Sequence, residues 1–379
     1  MRCALIDFNW LYLALIGYNW PDNWSKITFM NINQIEILPE MLTIIAEIDE
    51  FKGSWRVLGT LAPERLAALR QVATIESIGS STRIEGVKLS DRQIETLLSN
   101  LDQHSFMTRD EQEVAGYAEV MELLFENWQM IPITENYIKQ LHSILLKYSD
   151  KDERHRGQYK QIDNHIQAFN QKGESLGTIF ATATAFQTPL LMSELVNWLR
   201  ISLDEKQLHP LLIIGIFIVQ ILAIHPFQDG NGRLSRVLTT LLLLKTGYVY
   251  VPYSSLETII ETNKDNYYLA LRKTQQSLKT NHPNWSSWLL FFLRCLREQK
   301  NKLAQKLERE LIWQTSLPEL SVNILELVKE HGRITTGEIE KYLGASRSTI
   351  KARINELREQ KKLTRYGKGR STWYSLNLD

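Results

Sequence analysis

His225-Pro226-Phe227-Gln228-Asp229-Gly230-Asn231-Gly232-Arg233-Leu234-Ser235-Arg236 lies between two apolar segments and decides how the rest of the chain is read. Leu211 to Ile224, just before it, is apolar almost all round, as a buried helix is. Pro226 lacks an N–H and clashes with the preceding turn, so that helix must break there. Gly230 and Gly232 bracket Asn231, which predicts a loop with positive φ that a ligand can approach closely, and a second helix is expected from about Arg233. A glycine-rich turn at a helix N-terminus gathers free N–H groups and the positive dipole end, a combination that suits a phosphate chain. Arg233 and Arg236, spaced i and i+3, are expected to point toward the same anion. Asp229 offers a hard oxygen ligand for a magnesium ion accompanying phosphates, and His225 a base with an ordinary pKa near neutrality. The chemistry implied is phosphoryl-type transfer.

With every signature position filled, these twelve residues resemble the core motif of the Fic (Fic/DOC) family, HPFx(D/E)GNGRxxR. Upstream, Gly79-Ser80-Ser81-Thr82-Arg83-Ile84-Glu85-Gly86 closes a helical pattern that starts at Pro63, and Gly86 reads as its stop. A carboxylate at a helix C-terminus opposes the dipole, so Glu85 calls for a cationic partner. Ser81-x-x-x-Glu85-Gly86 resembles the family's inhibitory motif, (S/T)xxxE(G/N). Its place before the catalytic motif resembles the Fic class with an N-terminal inhibitory helix.

Composition sets wider bounds. The chain has 379 residues, 44% of them hydrophobic, and a formal net charge of +1. That length suits about two to three domains, and so balanced a charge leaves any nucleic-acid partner to a local patch. Cys3 and Cys295 are far apart and lack metal-ligand spacing, which fits a reducing, cytoplasmic compartment. The run from Leu5 to Trp20 is apolar but broken by Asp7, Asn9 and Asn19, without a clear cleavage site, so no signal peptide is expected. The segment before His225, about 15 residues or roughly 22 Å, is too short for a bilayer of about 30 Å, and no membrane partner is expected.

In chain order, an extended Leu-Pro start and a short helix are expected across Ile32 to Ile48, then a loop from Gly53 to Leu61. Ser90, three residues before Gln93, forms a capping-box pattern opening a helix toward Leu101. Amphipathic helices follow over Glu111 to Phe125 and Thr134 to Lys147. His165 to Phe169 and Leu176 to Thr184 flank Asn170-Gln171-Lys172-Gly173 as a hairpin. His155 and His165 have no zinc-type spacing. Helices are expected over Met192 to Leu203, from Asn263-Lys264-Asp265-Asn266-Tyr267-Tyr268, and along Phe291 to Glu310, with an extended link from Tyr248 to Val251. A boundary is read near Ser316-Leu317-Pro318. Three short helices, the third capped by Ser346 and carrying Arg347, Lys351, Arg353 and Arg358, then precede a hairpin with Gly367-Lys368-Gly369-Arg370 at its tip. This end resembles a winged helix-turn-helix domain, which binds DNA in some proteins and docks proteins in others.

The expected fold is mainly α, a Fic-type helical domain with a small β-hairpin flap plus the winged helix. Its divisions are an N-terminal segment (1–62), a helical region with the inhibitory helix at about 75–86 (63–110), the catalytic domain (111–310) and the winged helix-like domain (317–379). The resemblance implies transfer of AMP from ATP to a Ser, Thr or Tyr hydroxyl of a target protein, including the chain itself. In it His225 is the base, Asp229 holds Mg²⁺ or Mn²⁺, and Gly230, Asn231, Gly232, Arg233 and Arg236 bind the phosphates. It places Tyr267, Tyr268 and Asn281 beside the adenine, has the hairpin hold the target's main chain, and pairs Glu85, helped by Ser81, with Arg236 in an inhibited state. A homodimer is a further expectation. Two other functions fit the same residues: removal of AMP from a modified protein with metal, and a DNA-binding regulator that senses nucleotide.

Overall fold

The apolar run before His225 is a helix with no solvent-facing side. In the computed structural model every residue from Leu211 to Ile224 is buried. The structure describes residues 35–58, 63–99, 106–164, 166–169, 175–278, 280, 282–315, 318–367, 369 and 372–377. Among them are fourteen α-helices and two two-stranded sheets, so the chain is mainly helical. By backbone packing it divides into two compact units, residues 1–302 and 303–379.

In the first unit the helices are α1 (Pro39–Leu58), α2 (Pro63–Ile84), α3 (Asp91–Leu98), α4 (Arg109–Asn127) and α5 (Glu135–Leu145). After them come the hairpin strands β1 (Ile166–Phe169) and β2 (Ser175–Phe180), then α6 (Thr188–Glu205), α7 (Pro210–Ile224) and α8 (Asn231–Lys245). Next are α9 (Leu256–Thr262), α10 (Lys264–Ser277) and α11 (Ser286–Thr315), which runs on into the second unit. The core is built around α7 and α8, because both carry apolar residues on every side; Trp288 of α11 donates its indole N–H to the Gly215 carbonyl of α7 at 2.7 Å. Local chemistry sets the helix starts. Gln93 Oε1 accepts the Ser90 N–H at 3.0 Å, Thr108 and Glu111 cap α4 reciprocally, and Thr134 Oγ1 accepts the Tyr137 N–H. β1 and β2 pair antiparallel with two register irregularities.

Two expectations fail here. Residues 53–58 continue α1 instead of forming a loop, because Phe51 and Trp55, one turn apart, bury their rings against Tyr250; that tertiary packing outweighs the low helix propensity of Gly53. The link after α8 is a turn and a short 3₁₀ helix, Val251–Tyr253, not an extended segment, since the Tyr248 N–H reaches back to the Leu243 carbonyl at 2.9 Å. His165, Asn170 to Gly173, Asn281 and the first 34 residues lie outside the described residues, as do Ser316 and Leu317.

The second unit contains α12 (Glu319–His331), α13 (Thr336–Leu343), α14 (Arg347–Glu359), β3 (Leu363–Tyr366) and β4 (Trp373–Leu376). Ile324, Val328, Ile339, Ile350, Ile354, Leu357 and Leu363 form its apolar core. Ile334 adds a short third strand, exchanging both main-chain bonds with Tyr374. Three helices and a twisted wing around one core are the winged helix-turn-helix arrangement.

Candidate active site

The site begins where α7 ends. His225 caps that helix in the left-handed region (φ 54°, ψ 62°), its N–H bonded to the Ile221 carbonyl at 2.8 Å, and Pro226 prevents any continuation. A non-glycine residue rarely holds that conformation, and here it turns the imidazole out of the helix line. The ring is only partly exposed and its Nδ1 is sealed from solvent without a hydrogen bond of good geometry. Burial, then the positive charge of Lys160, push its pKa down to about 4, so the imidazole is neutral at physiological pH.

The loop after it is closed by Asn231. Its Oδ1 accepts the Phe227 N–H at 2.9 Å and its Nδ2 donates to the Phe227 carbonyl at 2.7 Å, so the side chain shapes the loop and only the backbone N–H is left for a ligand. Gly230 is left-handed (φ 79°) and α8 starts at Asn231, two residues before the expected Arg233. Gly232 already belongs to that helix and has no positive φ; the expectation of two left-handed glycines is corrected to one. A Cβ at Gly232 would collide with the Glu85 carboxylate, which lies over the first turn of α8.

Arg233 and Arg236, expected to share an anion, have separate partners. Arg233 is buried beside Glu113 (3.1 Å) and Asp229 (3.5 Å). Arg236 gives its Nε–H to Ser81 Oγ at 2.7 Å, and its Nη2 bonds the Ser81 carbonyl at 2.9 Å and Glu85 Oε1 at 2.8 Å. Burial opposes the Arg236 charge, but Glu85 holds the guanidinium above its ordinary pKa. Glu85 thus has the cationic partner that its place at the end of α2 called for. Arg233 Nε and Arg236 Nη1 are buried donors without a well-aligned hydrogen bond, and Arg233 Nη1 has only its ion pair with Glu113. Unsatisfied donors inside a protein are costly, and their convergence on a helix N-terminus marks a place for an anion.

Asp229 lies at the rim. Its Oδ2 is 3.6 Å from Arg109 and 4.0 Å from Lys151, and its Oδ1 accepts the Gly230 N–H at 2.6 Å. Burial would raise its pKa, yet Arg233, the Gly230 N–H, Lys151 and Arg109 hold it below the usual carboxylate range. It is therefore an anion whose partly exposed oxygens can bind a cation. No group of three or more His, Cys, Asp or Glu suited to a metal occurs among the described residues. A magnesium that arrives on a triphosphate needs only one or two carboxylates, so Asp229 fits that role.

Of the residues expected beside the base, Tyr267 is buried against Trp288 and Phe291 with its hydroxyl interacting with Arg236, while Tyr268 is 42% exposed. Sequence reasoning missed His142, Glu113, Arg109 and Lys151. His142 stacks on Phe227 with centroids 3.8 Å apart and meets the Asp229 carbonyl at 3.0 Å. It interrupts the apolar set Ile138, Leu141 and Leu145 of α5, a signal the sequence did carry. Arg109 and Glu113, bonded at 2.7 Å, are an i,i+4 pair of an ordinary kind, and only the fold brings Glu113 to Arg233.

Residues 132–243 match the profile of the Fic/DOC family, and residues 315–377 that of the C-terminal domain of a DIP2311-like transcriptional regulator. The chain is 32% identical over 100 residues to a probable protein adenylyltransferase of Aquifex aeolicus (strain VF5), covering 26% of this chain and 28% of that protein. It is 28% identical over 197 residues to the protein adenylyltransferase Fic of Drosophila grimshawi, covering 49% of this chain and 36% of that one. The matches thus span about a third of the length of these relatives. A Fic family protein from Desulfovibrio desulfuricans G20 shares the fold, with a TM-score of 0.62 at 22% identity over 91% of this chain and 98% of the other. The motif residues gathered around one helix N-terminus thus lie in the stretch that matches the Fic/DOC family, and the C-terminal end matches a regulator-type domain.

Proposed function

We propose that the protein transfers AMP from ATP to a hydroxyl side chain of a protein target, itself included, and rests in a state inhibited by the Glu85–Arg236 pair. The observation that carries this reading is the pair of buried guanidinium groups of Arg233 and Arg236, not all of whose N–H groups are hydrogen-bonded, beside the first turn of α8 and next to a neutral His225. The attacking hydroxyl oxygen bonds to the α-phosphorus as its proton passes to the His225 ring. The bond from the α-phosphorus to the bridging oxygen breaks, and pyrophosphate leaves. His225, already neutral, accepts the proton without first losing one, a contribution of about 10² to 10⁴ in rate. Backbone N–H groups of Gly230, Asn231 and Gly232, together with Arg233, stabilise the charge on the α-phosphoryl oxygens. Asp229 is the residue that would hold Mg²⁺, which supplies neutralisation of the phosphate charge. Arg236 grips the γ-phosphate and aligns the triphosphate. Tyr267 and Tyr268 border the adenine.

Inhibition follows from Arg236 serving one anion at a time. Glu85 holds Nη2, Ser81 the remaining side of the group, and the carboxylate covers Gly232 where phosphate oxygens would lie. Glu85→Gly should raise self-modification with labelled ATP by about 5- to 150-fold, the usual range of a coupling between sites, and His225→Ala in that background should remove it. Equal labelling of wild type and Glu85→Gly, or labelling that survives His225→Ala, overturns the reading.

The second unit suits DNA. In α14, Arg347, Ser348, Thr349, Lys351 and Asn355 are exposed around an N-terminus that can enter a major groove, while Arg353 is held by Glu356 at 2.7 Å.

A further inference from the structure

Lys160 is buried (3% exposed) and among the described residues has no carboxylate in hydrogen-bond contact, Asp163 favouring its charge only from a longer range. Its ammonium gives all three bonds to neutral oxygens: Asn164 Oδ1 at 2.9 Å, Thr182 Oγ1 at 3.1 Å and the Ile224 carbonyl at 3.1 Å. Its backbone N–H donates to the Pro226 carbonyl at 2.9 Å. One residue therefore grips the chain immediately before and immediately after His225. Its other two acceptors stand at the two stems of the hairpin, Asn164 ahead of β1 and Thr182 behind β2. These stems are joined to each other, Thr182 Oγ1 donating to the Asn164 carbonyl at 2.6 Å, and to the motif loop, Asn164 Nδ2 donating to the Phe227 carbonyl at 2.8 Å.

A buried cation is expensive, and neutral acceptors offset that cost only partly. Burial accordingly lowers the Lys160 pKa to about 8, leaving it mostly charged at neutral pH. A methionine of similar length would fill the space without the charge but would give none of the three hydrogen bonds, so packing alone does not account for the ammonium. What the charge does act on is His225. The groups that influence the imidazole are Lys160 before the hairpin, the Leu222 carbonyl of α7, Glu85 from α2 and Asp229 of the motif loop; Lys160 alone among them disfavours the imidazolium.

We propose that Lys160 is a positioning residue that clamps the His225 turn to both stems of the hairpin. Its charge adds to burial, the larger cause, in disfavouring the imidazolium. The proposal rests on His225 as the site's base for its catalytic consequence only. The clamp joins the face on which the hairpin lies to the turn that holds the base, so a disturbance of the stems is transmitted to His225.

The test uses the full chain without nucleotide, which separates it from the question of AMP transfer. With histidine labelled at ¹³Cε1 and the His225 signal identified by its loss in His225→Ala, the imidazole is titrated in wild type, Lys160→Arg, Lys160→Gln and Lys160→Met. Glutamine is shorter and keeps two of the three N–H donors, so it removes the charge while retaining part of the hydrogen bonding should methionine impair folding. The expected result is an upward shift of the His225 midpoint in Lys160→Gln and Lys160→Met, with Lys160→Arg close to wild type. Amide hydrogen exchange in β2 should quicken in Lys160→Met. A His225 midpoint unchanged in Lys160→Gln overturns the electrostatic role, and unchanged β2 exchange in Lys160→Met overturns the clamp. In the Glu85→Gly background, the acid limb of the transfer rate should move to higher pH in Lys160→Gln by the same shift. Absence of transfer in every variant, with the titration shift present, would instead count against the reaction assigned above.

Discussion

His142 and His225 are neutral at physiological pH for the same leading reason, burial, which pushes each pKa down to about 4. In His142 the proton's place is also fixed. The Gly157 N–H donates to Nδ1 at 2.9 Å, so Nδ1 must be the acceptor and Nε2–H donates to the Asp229 carbonyl. The unfolded chain, with an imidazole pKa near 6.5, binds protons that the folded one refuses between about pH 6.5 and 4. The stabilisation is therefore present above pH 6.5 and is lost as pH falls toward 4, at up to about 1.4 kcal/mol per pH unit for each ring. Melting should drop steadily over this interval, and NMR should show both rings unprotonated at pH 5.5; a midpoint near 6.5 for either ring removes its share. The motif histidine and its arginines were legible because their chemistry sits within twelve consecutive residues. His142, Lys160 and Glu113 were not, because each acquires its role from a partner in another element.

α2 shows what holds a carboxylate over a neighbour's first turn. Arg83 binds Glu261 with two bonds, 2.7 and 3.1 Å, and reaches Asp91 at 2.7 Å, tying the end of α2 to α9 and to the start of α3. Lys264 Nζ caps the helix through the Ile84 carbonyl at 2.7 Å, and Ser80 bonds Thr258 at 2.9 Å. These contacts fix the angle at which Glu85 leaves the helix. Arg83→Ala should release part of the inhibition proposed above, raising self-modification several-fold but less than Glu85→Gly, because Ser81 and Lys264 still hold the helix. A variant as silent as wild type would show that the carboxylate needs no such support. Helices were readable wherever apolar spacing and caps agreed, as at Ser90-x-x-Gln93. The loop expected from Gly53 is helix as far as Leu58, because Phe51 and Trp55 reveal their shared ring cluster only once Tyr250 is brought to them.

At the scale of the whole molecule, two compact units share one chain through α11, and the residues assigned to each proposed chemistry lie within one unit. His225, Asp229, Arg233, Arg236 and Glu85 all precede residue 302, whereas the exposed cations of α14 and its buried Ile350, Ile354 and Leu357 follow residue 303. No helix among the described residues is long and apolar enough to cross a membrane. The net charge of +1 provides no general pull on nucleic acid, so any DNA affinity has to come from the second unit's local patch. A chain ending at Thr315 should therefore keep self-modification in the Glu85→Gly background while losing retention of duplex DNA on a filter. For the full chain, retention should weaken steeply with salt, by about 0.9 logarithmic units per phosphate contacted for each decade of concentration. Replacing Arg347 or Lys351 with alanine should reduce that slope by about one contact each, since both stand exposed on α14, whereas Arg353 is held by Glu356. Equal DNA retention by the full and shortened chains would remove DNA from the second unit and leave a protein partner as its occupant. Loss of self-modification on shortening would mean that the first unit's site needs residues beyond Thr315, contrary to the independence argued from its geometry.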